Sequence, residues 1–444
     1  MIPILYKHIV FLYNMLEYVL LIFTAIILLL LLGIRLYYPF WSYQPVCHTY
    51  DFIRPLVLPA EGALLEHAPQ KRKFCDFFHV KTRKFWEIAD TEKRDLAQFL
   101  QTNYITAENV LHVISAQTLD HQLAGFAHSP AISIYFDYDY VRTHDPPTST
   151  PLQTPTDPLA AALQELQKIR RIPQIRACML TTQITLYDTP QTHAPPTQLY
   201  YWDQICTKRT ASTEETHKYA QRLIQTNDYN IRLYDNRGAL FKKEIVLCHG
   251  ITPFIQYRSY SYIIAPRFQL RPLSLFLTIR QLRKGEIDQI LAALRTSRKK
   301  YVLSEMGNLV SLLDHHQLFV FSLNYRDELY GIYFVKHVHM HYENIEGGDV
   351  GSETVGNAIQ LVASVKKVYS DELFVLGWEH VLQAILKVRN TYRVLLVDEM
   401  GDNHIILNSL NRALAFYTNA AAYYLYNYGM YGMPFDPRGW LVLV

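Results

Sequence analysis

Three groups of residues in this sequence are of types that could do chemistry. The first is the chain end, YYLYNYGMYGMPFDPRGWLVLV, whose last five residues, Trp440 to Val444, are all apolar. Chain ends usually fray and are usually polar, so this one has the character of a buried strand. Burying it takes an α-carboxylate inside, and an unpaired buried carboxylate is costly. Either the charge of Val444 reaches the surface or it has a partner or a task. The second group follows Cys206. Lys208 and Arg209 precede Ser212-Thr213-Glu214-Glu215, an S-x-x-E pattern that opens a helix. A helix start has free backbone N–H groups and, with two cations beside it, can hold phosphates. An ordinary capped helix is the competing reading, and Glu214 and Glu215 favour it because they repel an anion. The third group is His337, His339 and His341, which alternate and so share one face of a strand. Three imidazoles could bind a metal; the expectation here is a solvated strand face and no metal. The sequence has no G-x-x-x-x-G-K, no G-x-G-x-x-G and no nucleophile-elbow pattern. Its five cysteines (Cys47, Cys75, Cys178, Cys206, Cys248) are scattered, without a C-x-x-C, which fits a reducing compartment and argues against a disulfide framework.

The elements that must position these groups can be read from the hydrophobic pattern. With 444 residues, 50% hydrophobic and 19% charged, the chain is a folded protein with room for a large core. A net charge of +3 gives no footprint for nucleic acid. YVLLIFTAIILLLLLGI (18–34) carries no charge, and extended back to Val10 it is long enough for one transmembrane helix over about 10–35. The chain continues IRLYYPFW, without the small residues of a cleavage site, so the helix reads as an uncleaved anchor. A Pro- and aromatic-rich stretch (36–60) wraps over the domain behind it. A helix begins at Asp90 or Thr91. VLHVISAQTLDHQLAGFAHSPAISIYF reads as two strands joined around Thr118–His121. DPPTSTPLQTPTDP is a Pro/Thr-rich surface loop or linker, followed by a helix over Leu159–Arg171 and a strand at ACMLTTQITLY. After Pro266–Pro272, LTIRQL, KGEIDQILAALRTS and LFVFSLNYRDELYGIYFVKHV read as strand, helix and hairpin. GGDVG (347–351) is a flexible loop. Further on come a helix at Phe374–Lys387, the strand TYRVLLVDEM and a last helix at about Ile405–Thr418. A helix–hairpin–strand–helix order therefore occurs in both halves, which predicts an α/β protein of two similar modules with mixed sheets.

Two stretches resemble the N-myristoyltransferase family. YPFWSYQPV (38–46) is similar to the Y-x-F-W-x-T-Q-P-V signature that opens that family's catalytic domain. The tail resembles its ending, where Y-Y-L-Y-N is followed by about sixteen residues and an apolar terminus; here Tyr423–Asn427 is followed by seventeen. Weaker similarities lie between, in LAGFAHSPAISIY (123–135), DQICTKR (203–209) and VDEMGDN (397–403). The resemblance implies two tandem acetyltransferase-like (GNAT-type) modules: an acyl-CoA-binding module over about 36–265 and a peptide-binding module over 266–444. It implies transfer of a myristoyl group from myristoyl-CoA, a co-substrate, to the amine of an N-terminal glycine on acceptor proteins, with no permanently bound cofactor. Tyr38, Phe40, Trp41 and Gln44 would contact the CoA, and Lys208, Arg209, Ser212 and Thr213 its phosphates. The backbone N–H groups of Gln204 and Ile205 would form the oxyanion hole. Tyr424, Tyr426 and Asn427 would meet the peptide, and the carboxylate of Val444 would be the general base. The chain departs from the family pattern by its N-terminal transmembrane helix, by an insertion at about 140–200 within the first module, and at two motifs. TNYITAEN (102–109) replaces an acidic run, and Ala-Ser-Thr-Glu at 211–214 replaces a basic one. The expected protein is a monomer tethered to a membrane by one N-terminal span, with its catalytic part in the cytosol. The alternative is an inactive acyl-CoA- or acyl-peptide-binding protein at a membrane.

Overall fold

A computed structural model describes residues 2–105, 110–142, 169–188, 195–264, 270–343, 356–367 and 369–444. The first element, α1, is one helix over Ile2–Tyr37. Within it Met15–Tyr37 forms a 23-residue apolar stretch, none of it buried against the rest of the protein. At ~1.5 Å per residue that is about 35 Å, enough to cross a hydrocarbon core of ~30 Å. The chain then forms the short helix α2 (Arg54–Val57) and strand β1 (Ala63–Leu64).

Two repeats come next. The first runs β2 (Val80–Lys84), α3 (Asp90–Asn103), β3 (Val110–His112), α4 (Ala116–Leu123), β4 (Ala131–Arg142), β5 (Ile169–Tyr187), β6 (Thr197–Thr207), α5 (Thr213–Arg232), β7 (Ala239–Glu244) and β8 (Ile255–Ile263). The second runs β9 (Leu277–Leu282), α6 (Ile287–Arg295), β10 (Lys300–Ser304), α7 (Met306–Asp314), β11 (Leu318–Tyr325), β12 (Glu328–Tyr342), β13 (Gly356–Lys366), α8 (Asp371–Val388), β14 (Tyr392–Asp398), α9 (Asn403–Leu410) and β15 (Tyr417–Tyr426). In the first, β2, β4, β5 and β6 pair antiparallel and α5 crosses over to put β7 parallel to β6. In the second, β9, β11, β12 and β13 do the same, and α8 puts β14 parallel to β13.

The repeats are joined by exchange. The short strand between the two helices of each repeat pairs with the long strand of the other: β3 with β12 and β10 with β5. Likewise β8 pairs with β14 and β15 with β7, and β8 and β15 pair with each other at the centre. Among the described residues fifteen strands thereby form one sheet, among them β17 (Trp440–Leu443), parallel to β10; β16 (Tyr428–Gly429) pairs with β1. The pseudo-twofold seam is also close-packed between helices: Asn308 of α7 donates to the carbonyls of Gln122 and Ala124 at 2.8 Å each, and Gly125 meets Gly307 backbone to backbone.

The structure corrects several expectations. Residues 116–123 are the helix α4 and not a strand junction. The hydroxyl of Ser115 accepts the N–H of Thr118 at 3.1 Å, and Leu119 and Leu123, four apart, are buried together. The last helix stops at Leu410, because Asn411 takes φ +58; β15 starts at Tyr417. Residues 169–171, expected in a helix, begin β5; the remainder of that predicted helix and GGDVG lie outside the described residues. The histidine face is only partly solvated. His337 and His339 are half-buried; Tyr392 Oη lies 3.0 Å from His337 Nδ1, and His339 Nε2 lies 2.6 Å from Gln317 Oε1. Among the described residues no cluster of His, Cys, Asp or Glu could hold a metal ion.

Candidate active site

A polar recess lies where the repeats meet. The pairing register builds it: Lys242 of β7 stands opposite Tyr423 of β15, Glu244 opposite Ala421, Ala421 in turn opposite Tyr257 of β8, and Ser259 of β8 opposite Asp398 of β14. Cross-strand partners share a face, so Lys242, Glu244, Tyr423, Tyr257 and Asp398 line one side of the central four strands. The opposite side carries the aromatic core, with Phe241 stacked on Tyr424 at 5.4 Å.

β6 opens the recess. It pairs with β7 only over Tyr200–Trp202 and Ala239–Phe241, and beyond that point the two strands diverge. At the divergence β6 carries a bulge: Asp203 pairs with Leu180 and Cys206 with Cys178, leaving Gln204 and Ile205 opposite the single residue Met179. Gln204 has φ +49, and its N–H donates to Asp203 Oδ1 at 2.8 Å. The bulge thus turns backbone toward the opening, and of the two expected donors Gln204 is held by its own neighbour.

The chain end reaches the same place. Trp440 to Leu443 are buried in β17, and Lys336 Nζ donates to the terminal oxygen of Val444 at 2.9 Å. Burial pulls the Lys336 ammonium below its ordinary range, against the attraction of Asp203 and Asp398 and with repulsion from Lys242. Lys242 is opposed by burial too, but Glu244 at 2.5 Å, Tyr257 and Asp398 outweigh it, and its pKa ends well above the usual value. Lys242 in turn holds Glu244 below its usual range. Burial pushes the Asp398 carboxyl up; one of its oxygens accepts from Gln360 at 2.9 Å, while Oδ1 and the Tyr257 hydroxyl are buried without a hydrogen-bond partner. Ser259 and Tyr423 are the polar side chains beside Asp398 and Tyr257.

The other expected site residues fall into two groups. Tyr38, Phe40, Trp41 and Gln44 begin the segment after α1. The Trp41 ring lies parallel to Phe241 at 6.1 Å, and Gln44 Oε1 accepts from the Tyr426 hydroxyl at 2.7 Å. A pocket of about 510 Å³ beside them is lined by Ser42, Tyr43, Gln70, Arg72, Lys73 and Phe74. Tyr424, Tyr426 and Asn427, expected at the peptide, are instead deep in the packing, at most 1% exposed. Tyr424 Oη accepts from Cys248 N–H at 3.1 Å, and Asn427 Oδ1 from Glu66 N–H at 2.8 Å. Tyr426 and Asn427 anchor the segment that carries Phe40 to Glu66, and Tyr424 the turn at Cys248. The α5 start is closed: Glu215 accepts from the Ser212 N–H at 2.9 Å and from its hydroxyl at 3.1 Å, while Ser212 Oγ accepts from the Glu215 N–H at 3.2 Å. Thr213 is its first helical residue. The N–H groups of Lys208 and Arg209 are taken by Arg176 O and Asn103 Oδ1, at 2.8 Å each. The geometry at this helix start is that of an ordinary capped helix.

Sequence reasoning missed Lys336, Lys242, Glu244, Asp203 and Asp398. A lysine inside IYFVKHV and an aspartate closing RVLLVD were the available signals, since a charge within a buried strand needs a partner.

No protein-family model and no curated protein sequence matches the chain. Solved structures do. Saccharomyces cerevisiae N-myristoyltransferase with bound myristoyl-CoA is 12% identical and aligns over 90% of each chain with a TM-score of 0.62. A second structure of the yeast enzyme, with myristoyl-CoA and inhibitors, is also 12% identical, with a TM-score of 0.60 over 90% of this chain and 91% of that one. The chain has the N-myristoyltransferase fold.

Proposed function

We propose that this protein is an acyltransferase that moves a myristoyl group from myristoyl-CoA to the amine of an N-terminal glycine, with the carboxylate of Val444 as general base. What carries the reading is the seat of Val444: a strand end delivered into the polar recess at the seam, its oxygen 2.9 Å from Lys336 Nζ, in a fold of this kind. The glycine ammonium gives a proton to the Val444 carboxylate. The freed nitrogen attacks the thioester carbonyl, whose π electrons move to oxygen. The oxyanion then collapses and the C–S bond breaks; the CoA thiolate leaves as the thiol with the proton the carboxylate had taken, and the nitrogen gives its second proton to the freed carboxylate, which passes it to solvent. The Ile205 N–H at the bulge is the donor assigned to the oxyanion; a lost donor of this sort typically costs ~10²–10³ in rate. Asp398 and the Tyr257 hydroxyl meet polar groups of the acceptor. The aromatic segment Tyr38–Gln44 and its pocket receive the CoA. α1 spans a membrane as a single pass, the rest of the monomer lying in the cytosol, where acyl-CoA is supplied.

One observation favours a second reading, in which the protein holds acyl-CoA or an acylated peptide without turnover: the α5 start is capped by its own Glu215 and offers phosphates little. The test compares the full chain in nanodiscs with a variant bearing two alanines after Val444, given myristoyl-CoA and glycine-initiated peptides, with CoA release followed. Turnover by the native end only, with both proteins equally stable, supports the base assignment. Equal turnover by both removes Val444 from the mechanism. Acyl-CoA binding by both without turnover across several peptides establishes the second reading.

A further inference from the structure

The turn after the aromatic segment exposes apolar side chains in an ordered setting. Phe52, Ile53, Leu56 and Val57 are 79%, 73%, 70% and 73% exposed. They do not belong to a loose loop. Asp51 N–H donates to His48 O at 3.1 Å, Leu56 N–H to Ile53 O at 3.0 Å and Leu58 N–H to Arg54 O at 3.2 Å. Arg54 N–H donates to Asp51 Oδ1 at 3.0 Å. Leu58 is packed from inside against the core that holds Trp440 and Val442. The fold therefore holds four large apolar groups outward, and a contiguous patch of this kind marks a contact surface.

The position of the patch identifies its cover. Tyr38, whose N–H donates to Ile34 O at 2.9 Å and so continues α1, stacks its ring on Tyr50 at 5.8 Å, and Tyr50 stacks on His48 at 4.7 Å. The turn is thus tied, ring against ring, to the C-terminal end of the apolar stretch Met15–Tyr37. The same end carries interfacial chemistry: Tyr37, Tyr38, Trp41 and Tyr43, with the Arg35 guanidinium 5.4 Å from the Tyr43 ring centroid and Lys73 Nζ 5.1 Å from it. Aromatic rings and basic side chains are the residues that settle at a headgroup layer.

We propose that Phe52, Ile53, Leu56 and Val57 are a second membrane contact, inserted into the interfacial layer of the bilayer that α1 spans. This rests on the membrane reading of α1. One helix followed directly by the catalytic part would leave that part free to tilt; a second contact beside it fixes the orientation. The Tyr38–Gln44 segment then faces the surface from which a fatty acyl chain would be delivered.

The experiment places single tryptophans in the full chain, Phe52→Trp, Leu56→Trp, Ile26→Trp in the span and Leu275→Trp on the second repeat, where Leu275 is 95% exposed. Each variant is reconstituted in phosphatidylcholine–phosphatidylserine vesicles with and without brominated lipid. The signal is read as the increment over the native protein. Expected is bromine quenching with blue-shifted emission at Phe52→Trp, Leu56→Trp and Ile26→Trp, and none at Leu275→Trp. Quenching at Ile26→Trp alone overturns the second contact while leaving the anchor in place. Loss of quenching at Ile26→Trp as well overturns both. None of these readouts depends on acyl transfer.

Discussion

Lys336 is the residue on which the proposed chemistry turns. It comes from the middle of β12, where burial disfavours its charge, and it is kept in place by Asp203 and Asp398 around it and by the oxygen of Val444. A hydrogen bond to a charged group is worth about 1.5–3 kcal/mol, which corresponds to ~10- to 150-fold in a rate constant. Lys336→Met should therefore lower kcat/KM by about that factor while the melting temperature stays within a few degrees, because methionine fills the same volume. Lys336→Arg, which keeps a cation on the terminal oxygen, should recover part of the loss. Wild-type turnover in Lys336→Met would remove the lysine from the mechanism. An equal fall in both variants would mean that shape, and not charge, is what the site requires. Asp203 does a different job: its carboxylate takes the Gln204 N–H at 2.8 Å and so fixes the bulge that aims Ile205.

At the scale of elements, much of the fold was legible because strand and helix periods differ. LTIRQL, TYRVLLVDEM and the hairpin around Arg326–Glu328 became β9, β14 and β11–β12, each a run bounded by turn residues. α4 was not legible as a helix: its apolar residues, Leu119 and Leu123, are few, and its existence depends on the Ser115 cap and on packing against α7 of the other repeat. β10 and α7 went unread for the same reason, since they are defined by partners 100 or more residues away. The recess was less legible still. Tail and signature pointed to Val444 and to Tyr38–Gln44, but the charged lining comes from four strands whose register no local pattern reveals. The contact between α4 and α7 gives a direct test of this long-range packing. A Cβ at Gly307 would lie 2.2 Å from the carbonyl oxygen of Gly125, a backbone atom that cannot rotate away. Gly307→Ala should cost about 1–3 kcal/mol, the usual range for overpacking, seen as a lower urea midpoint with an unchanged slope. Gly285→Ala, where an added Cβ meets nothing within 4 Å, should be near neutral. If both behave alike, the two repeats are not in close contact there.

For the whole molecule the exchange of strands makes each repeat incomplete alone: β5 needs β10, β12 needs β3, and the centre needs β8 and β15 from opposite repeats. Unfolding should accordingly be one cooperative transition for both repeats. One of these clasps is also sensitive to acid. β3 lies along the outer end of β12, with Val113 N–H donating to His339 O at 2.9 Å, and that end carries His337 and His339. Burial lowers their pKa values to about 4 and about 3, with repulsion from neighbouring cations adding to it. Unfolded histidines titrate near 6.5. Between about pH 6.5 and the folded values the unfolded chain binds more protons than the native one, so stability is fully present above pH 6.5 and is lost progressively as pH falls toward 4. At pH 5 each histidine can withdraw up to ~2 kcal/mol, from 1.36 kcal/mol per pH unit. The melting temperature should fall steeply between pH 7 and 5. In His337→Asn with His339→Gln, which preserve hydrogen-bonding capacity without a titrating ring, that slope should flatten. Hydrogen exchange should show the amides of β3 and of the outer end of β12 opening first as acid is added. A slope unchanged in the double variant would place the acid sensitivity in the other buried imidazoles, His112 of β3 and His48, whose pKa values burial also lowers.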